Sequence, residues 1–281
     1  MINEYINLGE INTLKITRIT DNGYYLNSKD EDEVLLPNAY INNDMKIGDI
    51  IEVFIYTDSE DRFVATTETP YGMKNQFIVA NVVDSVDFGA FVDWGLPKDL
   101  FVPKNKQKTP FKVGDKRIIR IVEDEKTSRL IGVEKITSYL SNETKHLKKN
   151  QEVDILVFAK TPLGFKVIID NTYEGMIYNN EIFSKIDIAD SLKAYIKTVR
   201  EDKKVDVSLQ AIGKEKAGDI NTKKIIQLLE QNNNELPYNY KTDPKTIQEI
   251  FAISKKAYKR ALTTLIENGI ISTNENGIQK L

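Results

Sequence analysis

The sequence has no cysteine and only one histidine, His146, in 281 residues. Without cysteine the chain can form neither disulfides nor thiolate zinc sites, and one histidine leaves almost no room for a Cys-His or Ser-His catalytic pair. Lysines flank His146 on both sides in residues 144–148, a pattern typical of a solvated helix residue rather than of a metal ligand. We therefore expect no metal site and no nucleophilic catalytic centre.

Long apolar runs and nucleotide-binding loops are also absent. No stretch of about 18 apolar residues exists, and the N-terminus lacks a basic segment followed by an apolar one. The sequence contains neither a Walker-type loop nor Gly-x-Gly-x-x-Gly, and its carboxylates show no spacing typical of a metal-dependent nuclease. These absences predict a cytoplasmic, non-enzymatic protein that needs no cofactor and does not enter a membrane.

The net charge of −3 is unevenly distributed along the chain. Acidic residues outnumber basic ones strongly in residues 1–70, whereas basic residues are in excess in 71–147 and in 214–281. Phosphate contacts provide much of the affinity of proteins for nucleic acids. The two basic segments are therefore the expected contact surfaces, and the acidic first segment favours a spacer or a surface for a protein partner.

Residues 82–132 contain short apolar runs rich in β-branched residues, separated by Gly, Asp and Lys. This pattern predicts the strands of a small β-barrel. The order Phe-Gly-Ala-Phe-Val at 88–92, Val-Pro at 102–103, Lys-Val-Gly-Asp at 112–115 and Arg-Leu at 129–130 resembles an S1 domain. The resemblance implies an OB-fold barrel that binds RNA.

Two aromatic residues in this segment are candidates for contact with RNA bases. Ala90 and Val92 are the expected core residues, and the resemblance to an S1 domain implies that Phe88 and Phe91 point outward, where an aromatic ring can stack on any base. The alternative is that both rings fill the barrel. If RNA crosses this face, we expect its phosphates to contact three basic residues: Lys98, Arg120 and Arg129.

The first part of the chain repeats the second at an offset of 66 residues. Residues 21–26 align with 87–92, and 46–49 with 112–115, which divides the chain into a first S1-like barrel at 1–69 and a second at 70–134. Asn22 stands where the second copy has Phe88, so Tyr25 is the remaining candidate for RNA contact. The short linker at 69–72 predicts that the two barrels pack closely.

A third S1-like barrel is predicted at 150–213, after a segment at 135–149 that is expected to be a linker helix or a partly ordered linker. Residues 163–167 (Leu-Gly-Phe-Lys-Val) align with 88–92 at an offset of 75. Leu163 and Lys166 replace the two stacking aromatics of the second copy. RNA contact by this barrel would therefore depend on other side chains: Phe165, Lys166, Lys193, Tyr195 and Lys197.

Beyond residue 220 the apolar period changes from 2 to 3.6 residues, which predicts helices. A first helix ends near 232, a second spans 244–251 behind the cap Asp243, and a third spans 255–268 behind the cap Ser254. Residues 270–281 then predict a hairpin, so 214–281 is expected to be a winged helix. The last helix has four basic residues that form either a nucleic-acid contact or a solvated face: Lys255, Lys256, Lys259 and Arg260.

Together these patterns predict a mainly β, multidomain chain of three S1-like OB-fold barrels followed by a C-terminal α+β winged-helix domain. This order, with Leu-Pro-Tyr at 236–238 and Ile-Ser-Lys-Lys-Ala-Tyr-Lys-Arg-Ala at 253–261, resembles the bacterial conserved virulence factor B family. The resemblance implies a non-catalytic protein that binds single-stranded RNA and regulates gene expression. Two alternatives remain open: a DNA-binding regulator acting through the winged helix, and a protein-interaction scaffold.

Overall fold

The computed structural model describes residues 1–210 and 214–281, and the side chains within those ranges except 214–219. The chain divides into two compact units, Met1–Tyr139 and Leu140–Leu281. The predicted boundary between the third barrel and the winged helix, 213/214, adjoins residues 211–213, which lie outside the described residues. No helix in the described part of the chain combines the length and apolar character that crossing a membrane requires.

The first unit begins with a closed five-stranded barrel in which the strand order is β1-β2-β3-β5-β4. Strands β3 and β5 run parallel where Leu35 pairs with Val64, and this pairing closes the barrel. The other neighbouring strands are antiparallel, as expected of an OB-fold. The strands are β1 (Ile11–Thr20), β2 (Gly23–Asn27), β3 (Glu33–Pro37), β4 (Ile50–Thr57) and β5 (Phe63–Thr66).

The strands of the second barrel are arranged in the same order as those of the first, but this barrel is less completely closed. Its five strands form a sheet in the order β10-β9-β6-β7-β8. The two edge strands approach each other at Gly132, where an added Cβ would lie 2.7 Å from Cγ2 of Val102. The strands are β6 (Phe77–Val86), β7 (Gly89–Asp93), β8 (Leu100–Pro103), β9 (Lys116–Glu123) and β10 (Leu130–Val133).

Buried side chains of the first two barrels form one continuous hydrophobic core. Within this core the rings of Phe54 from the first barrel and Trp94 from the second meet edge to face, with centroids 5.7 Å apart. An edge-to-face aromatic pair adds about 0.5–1.5 kcal/mol beyond the burial of its area. The close packing predicted from the short linker is therefore confirmed.

The second unit begins with the third barrel, which is closed in the order β11-β12-β13-β15-β14. Its closing parallel pair joins Gly175 to Val205, and it has a separate hydrophobic core of its own. The strands are β11 (Glu152–Thr161), β12 (Gly164–Ile169), β13 (Tyr173–Tyr178), β14 (Ser191–Val199) and β15 (Val205–Ser208).

The repeat predicted from the sequence is confirmed strand by strand. Strand β6 begins 66 residues after β1 (Phe77 against Ile11), and β11 begins 75 residues after β6 (Glu152 against Phe77). Each of these first strands also has a bulge at the corresponding place, which sharpens the local twist. The bulges lie between Ile16 and Arg18, Val82 and Asp84, and Val157 and Ala159.

Of the two alternatives for residues 135–149, the prediction of a linker helix is wrong. This segment has two short 3-10 helices, Ile136–Tyr139 and Thr144–His146, and the two compact units separate between them. Ile136 is buried in the first unit, whereas Leu147 belongs to the core of the third barrel. Because the apolar residues are buried in different units, they do not form the single stripe that an amphipathic helix needs.

The C-terminal domain is a winged helix, as predicted. Its helices are α1 (Lys214–Gln231), α2 (Pro244–Phe251) and α3 (Lys255–Glu267), and its strands are β16 (Glu235–Leu236), β17 (Ile271–Thr273) and β18 (Ile278–Lys280). Asp243 accepts hydrogen bonds from the backbone N–H groups of Lys245 and Thr246, and Ser254 caps α3 in the same way at Ala257. The sequence did not predict the two-residue strand β16, which extends the hairpin to a three-stranded sheet.

Candidate nucleic-acid interface

Strand β7 of the second barrel alternates between the core and the surface. Ala90 and Val92 are completely buried, whereas Phe91 on the opposite face is only partly covered. Phe88, immediately before the strand, is 67 % exposed. The predicted inward positions of Ala90 and Val92 are thus confirmed, and the structure gives both phenylalanines access to the surface.

A third phenylalanine, Phe101 on β8, lies between these two. Its ring centroid is 5.8 Å from that of Phe88 and 5.2 Å from that of Phe91, and Phe91 and Phe101 are directly paired across the strands. We call Phe88, Phe91 and Phe101 the aromatic cluster. The sequence analysis missed Phe101, although its position between the inward residues Leu100 and Val102 was a usable signal.

Gly89 makes this arrangement possible. A Cβ added to Gly89 would lie 2.4 Å from Cε2 of Phe101 and 2.7 Å from the carbonyl oxygen of Val102. Both distances are below van der Waals contact, so only glycine lets β8 and the ring of Phe101 approach the beginning of β7. The glycine at the centre of the Phe-Gly-Ala-Phe-Val motif therefore sets the position of the aromatic cluster.

The aromatic cluster faces a groove of about 350 Å³ between the first and second barrels. The second barrel contributes the three phenylalanines together with Lys98 and Arg129. Leu130 and Ile131 of β10 add apolar lining from the second barrel, and on the other side lie residues of β4 and of the turn that follows it. We call this space the inter-barrel groove; its first-barrel lining consists of Tyr56, Thr57, Ser59 and Asp61.

The two basic residues of the inter-barrel groove are both engaged with the first barrel. Nζ of Lys98 donates hydrogen bonds to the carbonyl oxygens of Thr57 (2.9 Å) and Asp58 (2.6 Å). Burial lowers the pKa of Lys98 from its usual value. Arg129 forms an ion pair with Asp61 and remains half exposed. Of the predicted site residues, the structure thus brings Phe88, Phe91, Lys98 and Arg129 together.

Arg120 does not belong to this group, which corrects its predicted role. Its guanidinium lies over the rings of Phe77 and Tyr139, at 4.7 and 5.2 Å from their centroids, and it is not part of the groove lining. Two of its nitrogens, Nε and Nη1, are buried and have no hydrogen-bond partner among the described residues. Burial also lowers the pKa of Arg120. The structure thus places Arg120 between two rings and apart from the groove that contains Lys98 and Arg129.

Tyr25 of the first barrel is also covered. The guanidinium of Arg18 lies 3.5 Å from the centroid of the Tyr25 ring and is itself paired with both carboxylate oxygens of Glu33. One face of the ring is therefore occupied by a cation. Stacking of a base on that face would require Arg18 to leave both partners.

In the third barrel the structure contradicts the predicted role of Phe165. This residue is 7 % exposed and belongs to the barrel core, because it aligns with the inward residue Ala90. The three predicted lysines each pair with a carboxylate: Lys166 with Glu174, Lys193 with Asp154 and Lys197 with Glu181. The hydroxyl of Tyr195 donates to Glu152. In these positions the third barrel presents neutralised charges rather than free cations.

The basic residues of α3 have a different environment. Lys256, Lys259 and Arg260 are exposed on one face of the helix, and Lys255 is half-buried at its beginning. Within the described part of the chain, none of the four forms an ion pair. The opposite face of α3 packs into the domain core through Tyr258, Ala261, Leu262 and Leu265.

No cluster of three or more His, Asp or Glu side chains suited to a metal ion occurs among residues 1–210 and 214–281, leaving aside the side chains of 214–219.

The three barrels and the C-terminal domain together have the fold of a tandem OB-fold protein with an appended winged helix. A family model described as "S1 domain" matches residues 8–68, and one described as "CvfB-like winged helix domain" matches residues 223–279. The first match falls on the first barrel, whose sequence motif is the weaker of the first two.

Similarity to known proteins extends over nearly the whole chain. The Bacillus subtilis protein YitL is 32 % identical over 277 residues, covering 96 % of this chain and 92 % of YitL. Conserved virulence factor B of Staphylococcus saprophyticus is 26 % identical, covering 96 % and 93 % of the two chains. The chain belongs to the conserved virulence factor B family.

A solved structure also aligns with the chain. It is a crystal structure from Streptococcus pneumoniae described as a multidomain protein with nucleic acid binding domains. The two chains are 24 % identical, the alignment covers 98 % of each, and the TM-score is 0.43.

Proposed function

We propose that this protein is a non-catalytic RNA-binding protein that binds single-stranded RNA and regulates gene expression after transcription. The proposal rests on one observation, the aromatic cluster at the surface of an S1-like barrel. Leaving a phenylalanine in water forgoes about 1.5–3 kcal/mol of burial energy. A base stacked on such a ring contributes about 1–3 kcal/mol, so an exposed cluster of this kind is suited to unpaired bases.

The cluster favours a single strand over a duplex for a geometric reason. Bases in a duplex are already stacked on their neighbours, and their faces cannot reach a protein ring without costly unstacking. A flexible strand can turn its bases toward Phe88, Phe91 and Phe101 while Arg129 contacts the backbone. Base stacking does not depend on a particular sequence, so affinity for many sequences is expected.

The exposed cations of α3 provide a second contact in this proposal. One barrel alone offers a small surface and hence weak binding. Two weak contacts on the same chain act at a high effective concentration, which raises the affinity for an RNA long enough to reach both. We therefore expect the affinity to rise with RNA length.

The experiment is fluorescence anisotropy with labelled single-stranded RNA, single-stranded DNA of the same sequence, and duplex DNA. The test variant is the double substitution Phe88→Ala and Phe91→Ala. The matched control is Phe63→Ala, which removes an exposed phenylalanine of the first barrel outside the groove lining. We expect RNA to bind more tightly than either DNA, and the double variant to lose at least about tenfold in affinity.

Unchanged RNA affinity in a folded double variant would contradict the proposed contact. Cleavage of the RNA by a pure preparation would contradict the non-catalytic part of the proposal. Circular dichroism of both variants serves as the folding control.

A second candidate function, regulation through duplex DNA, is favoured by the exposed cations of α3. In a winged helix this helix is the element that enters a groove of DNA. If duplex DNA outcompetes single-stranded RNA, and if Lys256→Gln with Arg260→Gln abolishes that binding, this candidate replaces the first.

A further inference from the structure

We propose that the β4–β5 turn of the first barrel, residues 58–62, forms one wall of the RNA site, and that the inter-barrel groove holds one unstacked nucleotide. This inference rests on the proposed function and adds that the acidic first barrel takes part in binding the RNA. The aromatic cluster is one wall of the groove, and Ser59 and Asp61 of the turn are on the other. A nucleotide between them contacts both barrels.

The turn is held in place from the second barrel by three successive contacts. The indole Nε1 of Trp94 donates to the carbonyl oxygen of Lys98 at 2.7 Å, which fixes the loop that contains Lys98. Nζ of Lys98 then donates to the carbonyl oxygens of Thr57 and Asp58, where β4 ends. Trp94 is itself packed against Phe54 of the first barrel. The two walls are therefore positioned before any ligand arrives, which lowers the entropic cost of binding.

The turn also has a defined internal structure. Oδ1 of Asp58 accepts hydrogen bonds from the backbone N–H groups of Glu60 (2.9 Å) and Arg62 (3.0 Å), and its carboxylate pairs with the guanidinium of Arg62. Ser59 belongs to the groove lining, whereas Glu60 is outside it and pairs with Arg62 at 3.0 Å. Adjacent residues of one turn thus differ in whether they line the groove.

The size of the groove limits its occupant. About 350 Å³ is at the lower end of the range of about 300–1,000 Å³ that is usual for small-molecule pockets. This volume suits one base with its sugar rather than a run of stacked bases. The rest of the strand would continue over the exposed ring of Phe88.

Arg129 is placed to bind the phosphate of that nucleotide. Its guanidinium has five N–H donors, and Asp61 occupies only part of them. The ion pair therefore orients Arg129 within the groove lining while leaving donors for a phosphate oxygen. Asp61 is in this view a positioning residue of the first barrel.

The absence of cysteine allows a direct test in the full-length chain. Ser59→Cys and Glu60→Cys each introduce a single thiol, at adjacent positions of the same turn. The rate of modification by a maleimide is measured for each variant with and without single-stranded RNA. RNA at ten times its Kd leaves about one site in eleven free, so we expect about tenfold slower modification at position 59 and little change at position 60.

The converse measurement uses the modified proteins. A bulky maleimide attached at position 59 fills the groove, so we expect the RNA affinity of modified Ser59→Cys to fall at least about tenfold relative to the same protein before modification. Modified Glu60→Cys is expected to retain its affinity. Because each protein is compared with itself, misfolding of a variant cannot produce the difference.

The outcomes separate this inference from the proposed function. If the unmodified chain does not bind RNA, the proposed function is wrong and the inference fails with it. If RNA binds and depends on Phe88 and Phe91, but both thiols react equally fast in its presence, the first barrel is not a wall of the site and the proposed function stands. Protection at position 59 together with loss of affinity on modification supports the inference.

Discussion

Gly114 and Ala189 occupy the same turn of the second and third barrels, and both have a positive φ, 87° and 78°. In each turn the backbone N–H donates to the first strand of the barrel, from Gly114 to the carbonyl oxygen of Val82 and from Ala189 to that of Val157. The following aspartate closes both turns in the same way. The third barrel therefore keeps the backbone geometry of the repeat at a position where it has lost the glycine.

This relationship predicts that Ala189→Gly stabilises the third barrel. A non-glycine residue at positive φ costs about 1–3 kcal/mol, and the greater freedom of glycine in the unfolded chain offsets about 0.4–1 kcal/mol of the gain. We expect a net gain of about 1 kcal/mol, measured as slower hydrogen exchange of the amides in β11 and β14.

The reciprocal substitution Gly114→Ala is the matched control. A Cβ at Gly114 would have no atom within 4 Å, so the substitution changes only the free-energy cost of the backbone conformation. We expect faster exchange in the second barrel by a comparable amount. Opposite signs for the two substitutions would support the argument, and equal signs would contradict it.

Phe101→Ala is predicted to weaken RNA binding as much as Phe88→Ala. Phe101 lies between the other two rings of the aromatic cluster, so its removal deletes one stacking surface and frees the other two rings. We expect an affinity loss of about tenfold, equivalent to about 1.4 kcal/mol, in anisotropy titrations. Tyr25→Ala is the comparison, and because Arg18 covers its ring we expect a change below about twofold.

The salt dependence of RNA binding should depend on α3 rather than on the third barrel. Each phosphate contact on a single strand contributes about 0.7 to the slope of log K against log salt. Lys256→Gln with Lys259→Gln and Arg260→Gln is expected to reduce that slope by up to about 2, if each cation contacts one phosphate. The matched triple variant replaces the paired cations of the third barrel, Lys166, Lys193 and Lys197, by Gln.

For this second variant we expect a much smaller change of slope, because carboxylates already neutralise these lysines. An equal change of slope in both variants would contradict this expectation, because lysines paired with carboxylates would then contact phosphates as often as unpaired ones. Titrations at several salt concentrations measure both slopes under the same conditions.

Asp99, which lines the inter-barrel groove, gives a prediction about pH. Asp99 is an exposed residue, but partial desolvation raises the pKa of its carboxyl group, and the nearby carboxylates of Asp93 and Asp84 add to this effect. A carboxyl group whose pKa is raised in the folded state stabilises the fold when it is protonated, and this contribution is lost as the pH rises through its folded pKa. Asp99→Asn is therefore expected to raise the thermal midpoint of the first unit at pH 7.

At about pH 3, below the usual aspartate pKa, the same substitution should have little effect, because the carboxyl group is then already neutral. Calorimetric scans of both proteins at the two pH values measure the difference. A gain that is equal at both pH values would mean that the charge of Asp99 is not its cause.

The sequence was sufficient for those features that are set by local patterns. Inward Ala90 and Val92 follow from the period of 2 in a strand, and α2 follows from Asp243 and Pro244 at its beginning. The burial of Phe165 was also accessible, because the alignment of the repeats placed it on Ala90. The prediction of RNA contact at Phe165 failed because the type of residue was given more weight than the face of the strand.

The contacts that decide which cations are free could not be read from the sequence. Arg129 and Asp61 are 68 residues apart in the chain, and Lys197 and Glu181 are 16 apart. No short-range pattern specifies such pairs, because each depends on two strands or turns that only the fold brings together. The same holds for Arg120, which the rings of Phe77 and Tyr139 cover.

The sequence by itself thus determined the three repeated barrels, the winged helix and the outward position of Phe91 between Ala90 and Val92, since each follows from the period and spacing of nearby residues. Only the tertiary structure decided that the first two barrels share one core and enclose a groove, and that Lys98 holds the turn of the neighbouring barrel. The physical reason is that packing and ion pairing join residues by their distance in space, whereas a sequence pattern records only their distance along the chain.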